Sequence, residues 1–296
     1  MRAGVDFGGT KIEAALLDSE GEIRARQRTP NPGGYAAAIE ATATLIAEIE
    51  SEAGARAETI GMATPGSLSP ATGRMRNANS TWLNGQPFLE DMRATLGRPV
   101  RMANDANCFA LSEAVDGAGA GARVVFGVIA GTGCGGGVIV DGRIIEGANG
   151  VGGEWGHMPL PWARDDERAQ ARCWCGRQGC METWVSGPAF ERWSGMPPGE
   201  AVVRARGGDP AAIAALDLLA DRMARGLGVI IDIIDPDVIV LGGGLSNIEA
   251  LYASVQGKLI AHAFSDVIAT RVVKNKHGDS SGVRGAAWLF APGETA

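Results

Sequence analysis

Apolar strands that run directly into glycine-rich turns are the feature that most constrains how this chain folds. Ala3–Phe7 leads into Gly8-Gly9-Thr10, and Val124–Ala130 leads into Gly131-Thr132-Gly133. The Gly-Thr pairs at 9–10 and 131–132 are 122 residues apart, and each lies between strands with a hairpin following. The chain therefore contains a weak internal repeat of strand, turn, strand and hairpin.

The rest of the chain alternates between predicted strands and helices. Alternation of this kind predicts an α/β fold, and the break between the two halves is expected near Gly117–Gly121. Further strands are predicted at Ile12–Leu17, Glu22–Arg28, Ile60–Ala63, Val100–Ala103, Gly137–Val140, Arg143–Glu146 and Val238–Leu241, and helices at Tyr35–Ala53, Asp105–Val115, Asp209–Asp235 and from Ser246.

A third glycine-rich turn, Gly242-Gly243-Gly244, follows the strand Val238–Leu241. Glycine lets backbone amides approach an anion closely, so clustered N–H groups bind phosphate. One such turn alone is more often a tight strand connection, but three together favour phosphate binding. Thr10 and Lys11 add a hydroxyl and a cation to the first turn, and Asp6 beside it is placed to hold Mg²⁺ through water. None of the turns matches GxxxxGK[ST], which excludes a Walker P-loop.

One histidine and three closely spaced cysteines have the composition of a metal site. His157, Cys173, Cys175 and Cys180 supply an imidazole and three thiolates, the donor set of a closed tetrahedral zinc site. The alternative is a cluster of buried thiols or an occasional disulfide. Glycines between the cysteines and the Cys-x-Cys-x₄-Cys spacing favour structural zinc.

Several polar residues follow predicted strands or flank the metal motif. Asn104-Asp105 lies where a strand ends and a helix begins, so it either caps the helix or presents a carboxylate that accepts a hydroxyl proton. The segment Asn77–Gln86, which includes Asn79, is rich in amides and hydroxyls and suits a ligand with many hydroxyl groups. Glu154 and Glu182 flank the metal motif, so a bound metal would fix their positions.

Charge and patterning exclude several classes of protein. With 27 Lys+Arg against 34 Asp+Glu the net charge is −7, which argues against a broad grip on nucleic acid or anionic membrane. The start of the chain carries no apolar signal region, and the stretch Val124–Val140 is too short and glycine-rich for a membrane span. We therefore expect a cytoplasmic protein.

Taken together, these motifs resemble those of the ROK family of sugar kinases and repressors. Val5–Lys11 resembles its first phosphate motif, Asn104–Asn107 its catalytic motif, and Gly153–His157 with Cys173–Glu182 its sugar and zinc motifs. The resemblance extends from residue 3 to about residue 290. Within the family, Asn77–Phe88 and His277–Gly285 are similar to the bacterial fructokinases.

The resemblance implies the actin-like, ribonuclease H-like fold, duplicated into two α/β domains with ATP in the cleft between them. It implies an N-terminal domain at 1–117, onto which a final helix within 283–296 packs, a C-terminal domain at 118–282 with a zinc loop at 157–180, and a homodimer. It also implies roles for individual residues: Asp105 as catalytic base; Asn79, Asn104, Asp105, Glu154, His157 and Glu182 on the sugar; Asp6, Gly8, Gly9, Thr10, Lys11, Thr132, Gly133 and Gly243 on ATP and Mg²⁺; and His157, Cys173, Cys175 and Cys180 on zinc.

The expected activity is ATP-dependent phosphorylation of a free hexose, with D-fructose to fructose 6-phosphate as the first expectation. Glucose, mannose and N-acetylated hexoses remain open alternatives within the kinases. A sugar-sensing repressor is a further alternative, but Asp6 is too near the start of the sequence for a preceding DNA-binding helix-turn-helix. The last alternative is a zinc-stabilised module that binds sugar without catalysis. The three phosphate-type turns argue against this alternative.

Overall fold

The computed structural model describes residues 1–168 and 172–294, so positions 169–171 of the predicted zinc loop and 295–296 of the predicted final segment lie outside the described residues. The described strands are β1 Arg2–Phe7, β2 Lys11–Leu17, β3 Ile23–Pro30, β4 Thr59–Thr64, β5 Ser67–Leu68, β6 Met75–Arg76, β7 Val100–Asn104, β8 Val124–Ala130, β9 Cys134–Val140, β10 Arg143–Ile144, β11 Val238–Gly242 and β12 Arg271–Lys274. The described α-helices are α1 Tyr35–Ala53, α2 Phe88–Leu96, α3 Asp105–Val115, α4 Asp165–Arg168, α5 Glu182–Val185, α6 Gly187–Ser194, α7 Pro198–Arg206, α8 Pro210–Ile234, α9 Ala250–Leu259 and α10 Ser281–Ala287.

The two large sheets have the same strand order. The first runs β3-β2-β1-β4-β7 and the second β10-β9-β8-β11-β12. In each sheet three antiparallel strands formed by consecutive chain segments are extended by two strands parallel to the first of them. Strand β1 therefore corresponds to β8, which is the relationship that the internal repeat predicts.

The central strands are buried because helices cover the sheets. Every residue of β4 and of β11 is buried, which explains why neither strand alternates between apolar and charged residues. Helix α8 turns one side inward, where Leu219, Met223 and Leu227 join the core of the second sheet. Helix α1 does the same for the first sheet through Leu45, Ile46 and Ile49.

Helices α10 and α3 lie between the two sheets at very close range. A Cβ placed on Gly61 of β4 would lie 1.6 Å from the carbonyl oxygen of Ala286 in α10. A Cβ on Gly285 of α10 would lie 1.7 Å from the carbonyl oxygen of Cys108 in α3. Only glycine fits at either contact, so α10 packs on the first sheet and on α3. The division of the chain near residue 117 into two domains stays a prediction.

Most predicted elements form with small changes at their ends. Tyr35–Ala53, Asp105–Val115 and Val124–Ala130 have the predicted bounds. The prediction that a helix begins at Ser246 is wrong, because Ser246 lies in a 3₁₀ turn and α9 begins at Ala250. The remaining elements that the sequence reading missed are short: β5, β6, β12, α2, α4, α5, α6 and α7.

Among the helices in the described parts of the chain, none has the length and apolar character that crossing a bilayer requires.

Candidate active site

The parallel strands of the first sheet bring the predicted catalytic residues to one edge. Strands β1, β4 and β7 are parallel neighbours, so their carboxyl ends meet at the same edge of the sheet. Asp6 lies at the end of β1, and Asp105 follows β7 as the first residue of α3. In open α/β sheets this edge is where ligands bind.

Two carboxylates at this edge, Asp6 and Asp105, have raised pKa values. Burial, with a smaller contribution from the negative charge of Glu154, raises the pKa of Asp105 to about 6. Burial, together with the negative charge of Asp105, raises the pKa of Asp6 to about 6 as well. Protein atoms surround Asp105 closely enough to raise its pKa, yet its side chain remains exposed to solvent. The site therefore holds a carboxylate that is a stronger base than usual and is open to a ligand.

Asn104 has a structural role in addition to any contact with substrate. Its side-chain oxygen accepts a hydrogen bond from the backbone N–H of Ala106 at 2.9 Å, which caps α3. Its side-chain amide donates to the carbonyl oxygen of Gly66 at 3.0 Å. Both interactions fix the helix N-terminus on which Asp105 lies.

A cavity beside these residues is lined by both halves of the chain. The first half contributes Thr64, Ser67 and Asn104, and the second contributes Glu146, Gly150 and Glu154. Asn107 also lines this cavity, and its buried side-chain oxygen has no hydrogen-bond partner in the described structure. The lining is rich in carboxylates, amides and hydroxyls, a composition that suits a small polyhydroxylated ligand.

The polar loop before α2 is held against the first glycine-rich turn. A Cβ placed on Gly9 would lie 3.1 Å from the side-chain oxygen of Ser80. Asn84 braces the loop, because its side-chain oxygen accepts from the N–H of Ala78 at 2.9 Å and its amide donates to the carbonyl of Ala78 at 3.0 Å. Asn79 lies next to Ala78 on this loop, and its side chain is exposed.

The first turn has a fixed backbone. The side-chain amide of Asn31 donates to the carbonyl oxygen of Gly8 at 2.8 Å, and the N–H of Asn31 donates to the carbonyl oxygen of Thr10 at 2.9 Å. Thr10 and Lys11 are exposed. Residues 8–11 thus form a rigid turn with an exposed hydroxyl and an exposed cation.

The second and third turns meet at the corresponding edge of the second sheet. Strands β8 and β11 are parallel neighbours, so Gly131-Thr132-Gly133 and Gly243 follow their carboxyl ends side by side. Gly243 has φ of +79° and leaves no space for a Cβ, which would lie 2.6 Å from the carbonyl oxygen of Ala130. Thr132, Gly244 and the start of α6 at Gly187 line one pocket. The backbone amides of this pocket and the hydroxyl of Thr132 suit a phosphate group.

The predicted zinc ligands are brought together. One ligand atom from each of His157, Cys173, Cys175 and Cys180 lies within 4.8 Å of every other. The Sγ atoms of Cys175 and Cys180 are 3.7 Å apart, and Cys173 Sγ is 3.6 Å from Nδ1 of His157. A tetrahedral zinc ion with Zn–S bonds of about 2.3 Å separates its ligands by about 3.8 Å, so the arrangement fits zinc.

Glu182 joins the cysteine loop to the second phosphate-type turn. Its Oε2 accepts a hydrogen bond from the N–H of Cys134 at 3.1 Å, and its Oε1 lies 3.6 Å from Cys173 Sγ. A Cβ on Gly133 would lie 2.8 Å from the same Oε2. The carboxylate is therefore shared between the metal cluster and the turn.

From the sequence, Asn107 is named only as the end of the motif Asn104–Asn107, with no role of its own, and Arg76 is not named; the structure places both at or beside the cavity. Asn107 is three residues after Asn104, a spacing that puts both on one side of the first turn of α3, so a signal was present. Arg76 lies on β6, a strand of two residues, and its contacts are with residues 67, 149 and 150. No local pattern could predict contacts between such distant segments.

Comparison with known sequences decides the family. The sequence profile of the ROK family matches residues 2–292. The chain belongs to the ROK family. The N-acetyl-D-glucosamine kinase of Pectobacterium atrosepticum, a curated relative, is 36% identical over 301 residues, which cover 98% of each chain.

Solved structures give the same result for the fold. The ROK hexokinase of Thermus thermophilus superposes with a TM-score of 0.85 at 32% identity, covering 97% of this chain and 96% of the other. The ROK glucokinase of Streptomyces griseus, in complex with glucose and AMPPNP, gives 0.78 at 27% identity over 97% and 98%. The predicted actin-like ATPase fold is confirmed.

Proposed function

We propose that this ROK-family chain is an ATP-dependent sugar kinase that phosphorylates the 6-hydroxyl of N-acetyl-D-glucosamine. The sugar is suggested by the 36% identity to an N-acetyl-D-glucosamine kinase along nearly the whole chain. This relative favours an N-acetylated hexose, which the sequence reading held as an alternative, over the D-fructose that it expected first. The kinase activity is suggested by the geometry around Asp105.

The observation that carries the proposal is the carboxylate of Asp105, which has a raised pKa and follows directly after Asn104 in the lining of the polar cavity. In the reaction the sugar hydroxyl oxygen bonds to the γ-phosphorus of ATP while the bond from that phosphorus to the bridging oxygen breaks, releasing ADP. The hydroxyl proton passes to Asp105. Because phosphoryl transfer passes through a loose transition state, orientation and late proton capture are sufficient. A pKa of about 6 leaves Asp105 mainly ionised at neutral pH while strengthening it as a base.

The sugar is proposed to lie in the cavity lined by both halves of the chain. Asn104 and Glu154 line that cavity, and Asn79 lies on the braced loop near the first turn. His157 directs Nδ1 to the cysteines, which leaves Nε2 for a sugar hydroxyl. Glu182 would complete the set from the turn at 133–134.

The nucleotide phosphates are proposed to lie on the glycine-rich turns. Gly8, Gly9, Thr10 and Lys11 present amides, a hydroxyl and a cation on the first sheet, while Thr132, Gly133 and Gly243 present amides and a hydroxyl on the second. Clustered N–H groups neutralise phosphate charge without the reorganisation that water would need.

Asp6 fits a role in holding Mg²⁺. Its carboxylate is buried next to the like charge of Asp105, an arrangement that a divalent cation with oxygen ligands relieves. A magnesium ion would supply charge neutralisation of the transferred phosphoryl group. Asp6 would hold the ion through water beside residues 8–11.

Zinc is proposed to be structural and held by His157, Cys173, Cys175 and Cys180. The ligand separations fit the ion, and a set of four protein ligands leaves no open position for substrate. Zinc would supply cross-linking of the loop that carries Glu182 to the segment that carries Glu154.

D-Fructose is the second candidate substrate, because Asn77–Phe88 and His277–Gly285 are similar to segments of the bacterial fructokinases. The deciding experiment measures ADP release from ATP with N-acetyl-D-glucosamine, D-fructose, D-mannose and D-glucose, ranked by kcat/KM, with mass spectrometry of each product. The proposal predicts the highest kcat/KM for N-acetyl-D-glucosamine. A higher value for fructose would overturn the choice of sugar, and no ADP with any hexose would favour a module that only binds sugar.

Two further expectations stay predictions. Light scattering of the purified protein tests the homodimer, and fractionation of the source cells tests the cytoplasmic location.

A further inference from the structure

Arg76 connects the two walls of the cavity. It lies on β6, which pairs with β5 in a small hairpin of the first half of the chain. Its Nε donates a hydrogen bond to the side-chain oxygen of Ser67 on β5 at 3.3 Å. Its second terminal nitrogen donates to the carbonyl oxygen of Asn149 and, at 3.4 Å, to that of Gly150, both in the second half.

The segment that Arg76 holds is loop 145–152, which leads from β10 to Glu154. Its base is tied to the second sheet, since the N–H of Ile145 donates to the carbonyl oxygen of Val138 at 2.9 Å. Within the loop, the N–H of Gly152 donates to the carbonyl oxygen of Glu146 at 2.8 Å. The tip at 149–150 therefore projects from a fixed base toward the hairpin of the first half.

The same two segments form opposite walls of the cavity. Ser67 and Leu68 of the hairpin line one wall, and Glu146, Gly150 and Gly152 of the loop line the other. A planar guanidinium can donate to Ser67 and to both carbonyl oxygens at once, which a lysine ammonium on a flexible stem does less well. The contact therefore sets the width of the cavity on this side.

We propose that Arg76 is a positioning residue that holds loop 145–152 closed over the sugar. The proposal rests on the proposed kinase function and adds to it how the sugar is enclosed. Arg76 is not itself among the residues that line the cavity, so it acts through the loop, which carries Glu146 and leads to Glu154. Releasing the loop would weaken sugar binding while leaving the transfer step at Asp105 intact.

Arg74 provides a matched control on the same hairpin. It is a second arginine two positions away, and its terminal nitrogen donates to the carbonyl oxygen of Gly85 at 2.7 Å, within the first half. Arg76→Ala and Arg74→Ala each remove one guanidinium from this hairpin. Only Arg76→Ala is expected to release the loop.

The test compares both variants with the full-length wild type in steady-state kinetics and in hydrogen exchange of amides 145–152. Arg76→Ala should raise KM for the hexose about tenfold or more, the loss expected for a charge-assisted hydrogen bond. Its kcat and its KM for ATP should stay near wild type, and exchange in the loop should become faster. Arg76→Lys should lie between wild type and Arg76→Ala, and Arg74→Ala should match wild type.

The proposal is overturned if Arg76→Ala and Arg74→Ala give the same hexose KM and the same loop exchange. A loss confined to kcat would overturn it as well, since that would place Arg76 in the chemical step. If Arg76→Ala fails to fold, the Arg76→Lys comparison decides on the same two readouts. If the wild type phosphorylates no hexose, the kinase function fails, whereas the exchange comparison still tests the contact.

Discussion

The backbone N–H of Cys134 donates a hydrogen bond of 3.1 Å to the carboxylate of Glu182. Cys134 follows the phosphate-type turn at 131–133, whereas Glu182 lies two residues after Cys180 of the metal cluster. The bond makes the position of the turn dependent on the position of the cysteine loop. Removal of zinc should therefore affect nucleotide binding as well as stability.

Cys180→Ser should release zinc and lower kinase activity together. A serine hydroxyl is a poor zinc ligand, and the freed loop would no longer hold Glu182 on the turn at 133–134. Elemental analysis should find less than one zinc per chain, with a raised KM for ATP. The control is Cys108→Ala, which changes a buried thiol outside the cluster and should keep the metal. Active wild-type enzyme without zinc would contradict the metal assignment.

Asp105→Asn should retain sugar binding and lose about 10³-fold in kcat, the scale of general-base catalysis. The amide keeps the shape of the side chain and the capping geometry but cannot accept the hydroxyl proton. Stopped assays for ADP and calorimetry with the hexose separate the two effects. Asp141→Asn, in an exposed turn, is the control and should behave as wild type. Near-normal turnover by Asp105→Asn would refute the assigned base.

Activity should fall as the pH drops through about 6. The pKa of Asp105 is raised to about 6 by burial, so the carboxylate that accepts the proton is present above this pH and lost below it. The pKa of Asp6 is also raised to about 6, in part by the charge of Asp105, so the loss of activity should spread over a wider pH range than one ionisation gives. The measurement is kcat/KM for the hexose between pH 5 and 9 at saturating ATP. Full activity at pH 5 would show that Asp105 ionises at its ordinary value.

Glu113→Gln should destabilise the protein by about 3 kcal/mol, because it breaks a buried and fully paired carboxylate. Glu113 accepts from the N–H groups of Ala118 and Lys276 at 2.9 Å and from the hydroxyl of Ser281 at 2.8 Å. Ala118 follows α3 on the way to the second sheet, and Lys276 and Ser281 follow β12 on the way back to the first. The side-chain NH₂ group of glutamine would face these donors and could not accept their hydrogen bonds. Urea denaturation measures the change. Unaltered stability would show that these bonds contribute little.

The sequence predicted what depends on local pattern. Strands such as Val124–Ala130 and the helix Tyr35–Ala53 were predicted with their bounds because continuous apolar runs and helical spacing are local signals. The grouping of His157, Cys173, Cys175 and Cys180 was also predictable, since residue type and spacing define a candidate donor set. The structure adds that Glu182 contacts Cys134, a pairing across 48 positions that no spacing rule gives.

What the sequence could not predict depends on long-range packing. No helix is predicted from the sequence between residues 191 and 208, where prolines and glycines are frequent, yet Pro198 starts α7, where its missing N–H costs nothing. The contact of Arg76 with loop 145–152 is set by how the two halves meet. The hexose likewise depends on the shape of a cavity lined by both halves.

Gly61→Ala should destabilise the protein by about 3 kcal/mol or more, because the added methyl would lie 1.6 Å from the carbonyl oxygen of Ala286. The clash is relieved only if α10 moves away from the first sheet. Because α10 also contacts α3, such a movement would shift α3, whose first residue is Asp105. We therefore expect lower kcat together with a lower midpoint of thermal unfolding. Gly257→Ala is the matched control: Gly257 lies in α9 with open space around it, so alanine should raise stability by about 1 kcal/mol. If the two substitutions shifted the midpoint in the same direction, the close approach of α10 to β4 would be wrong.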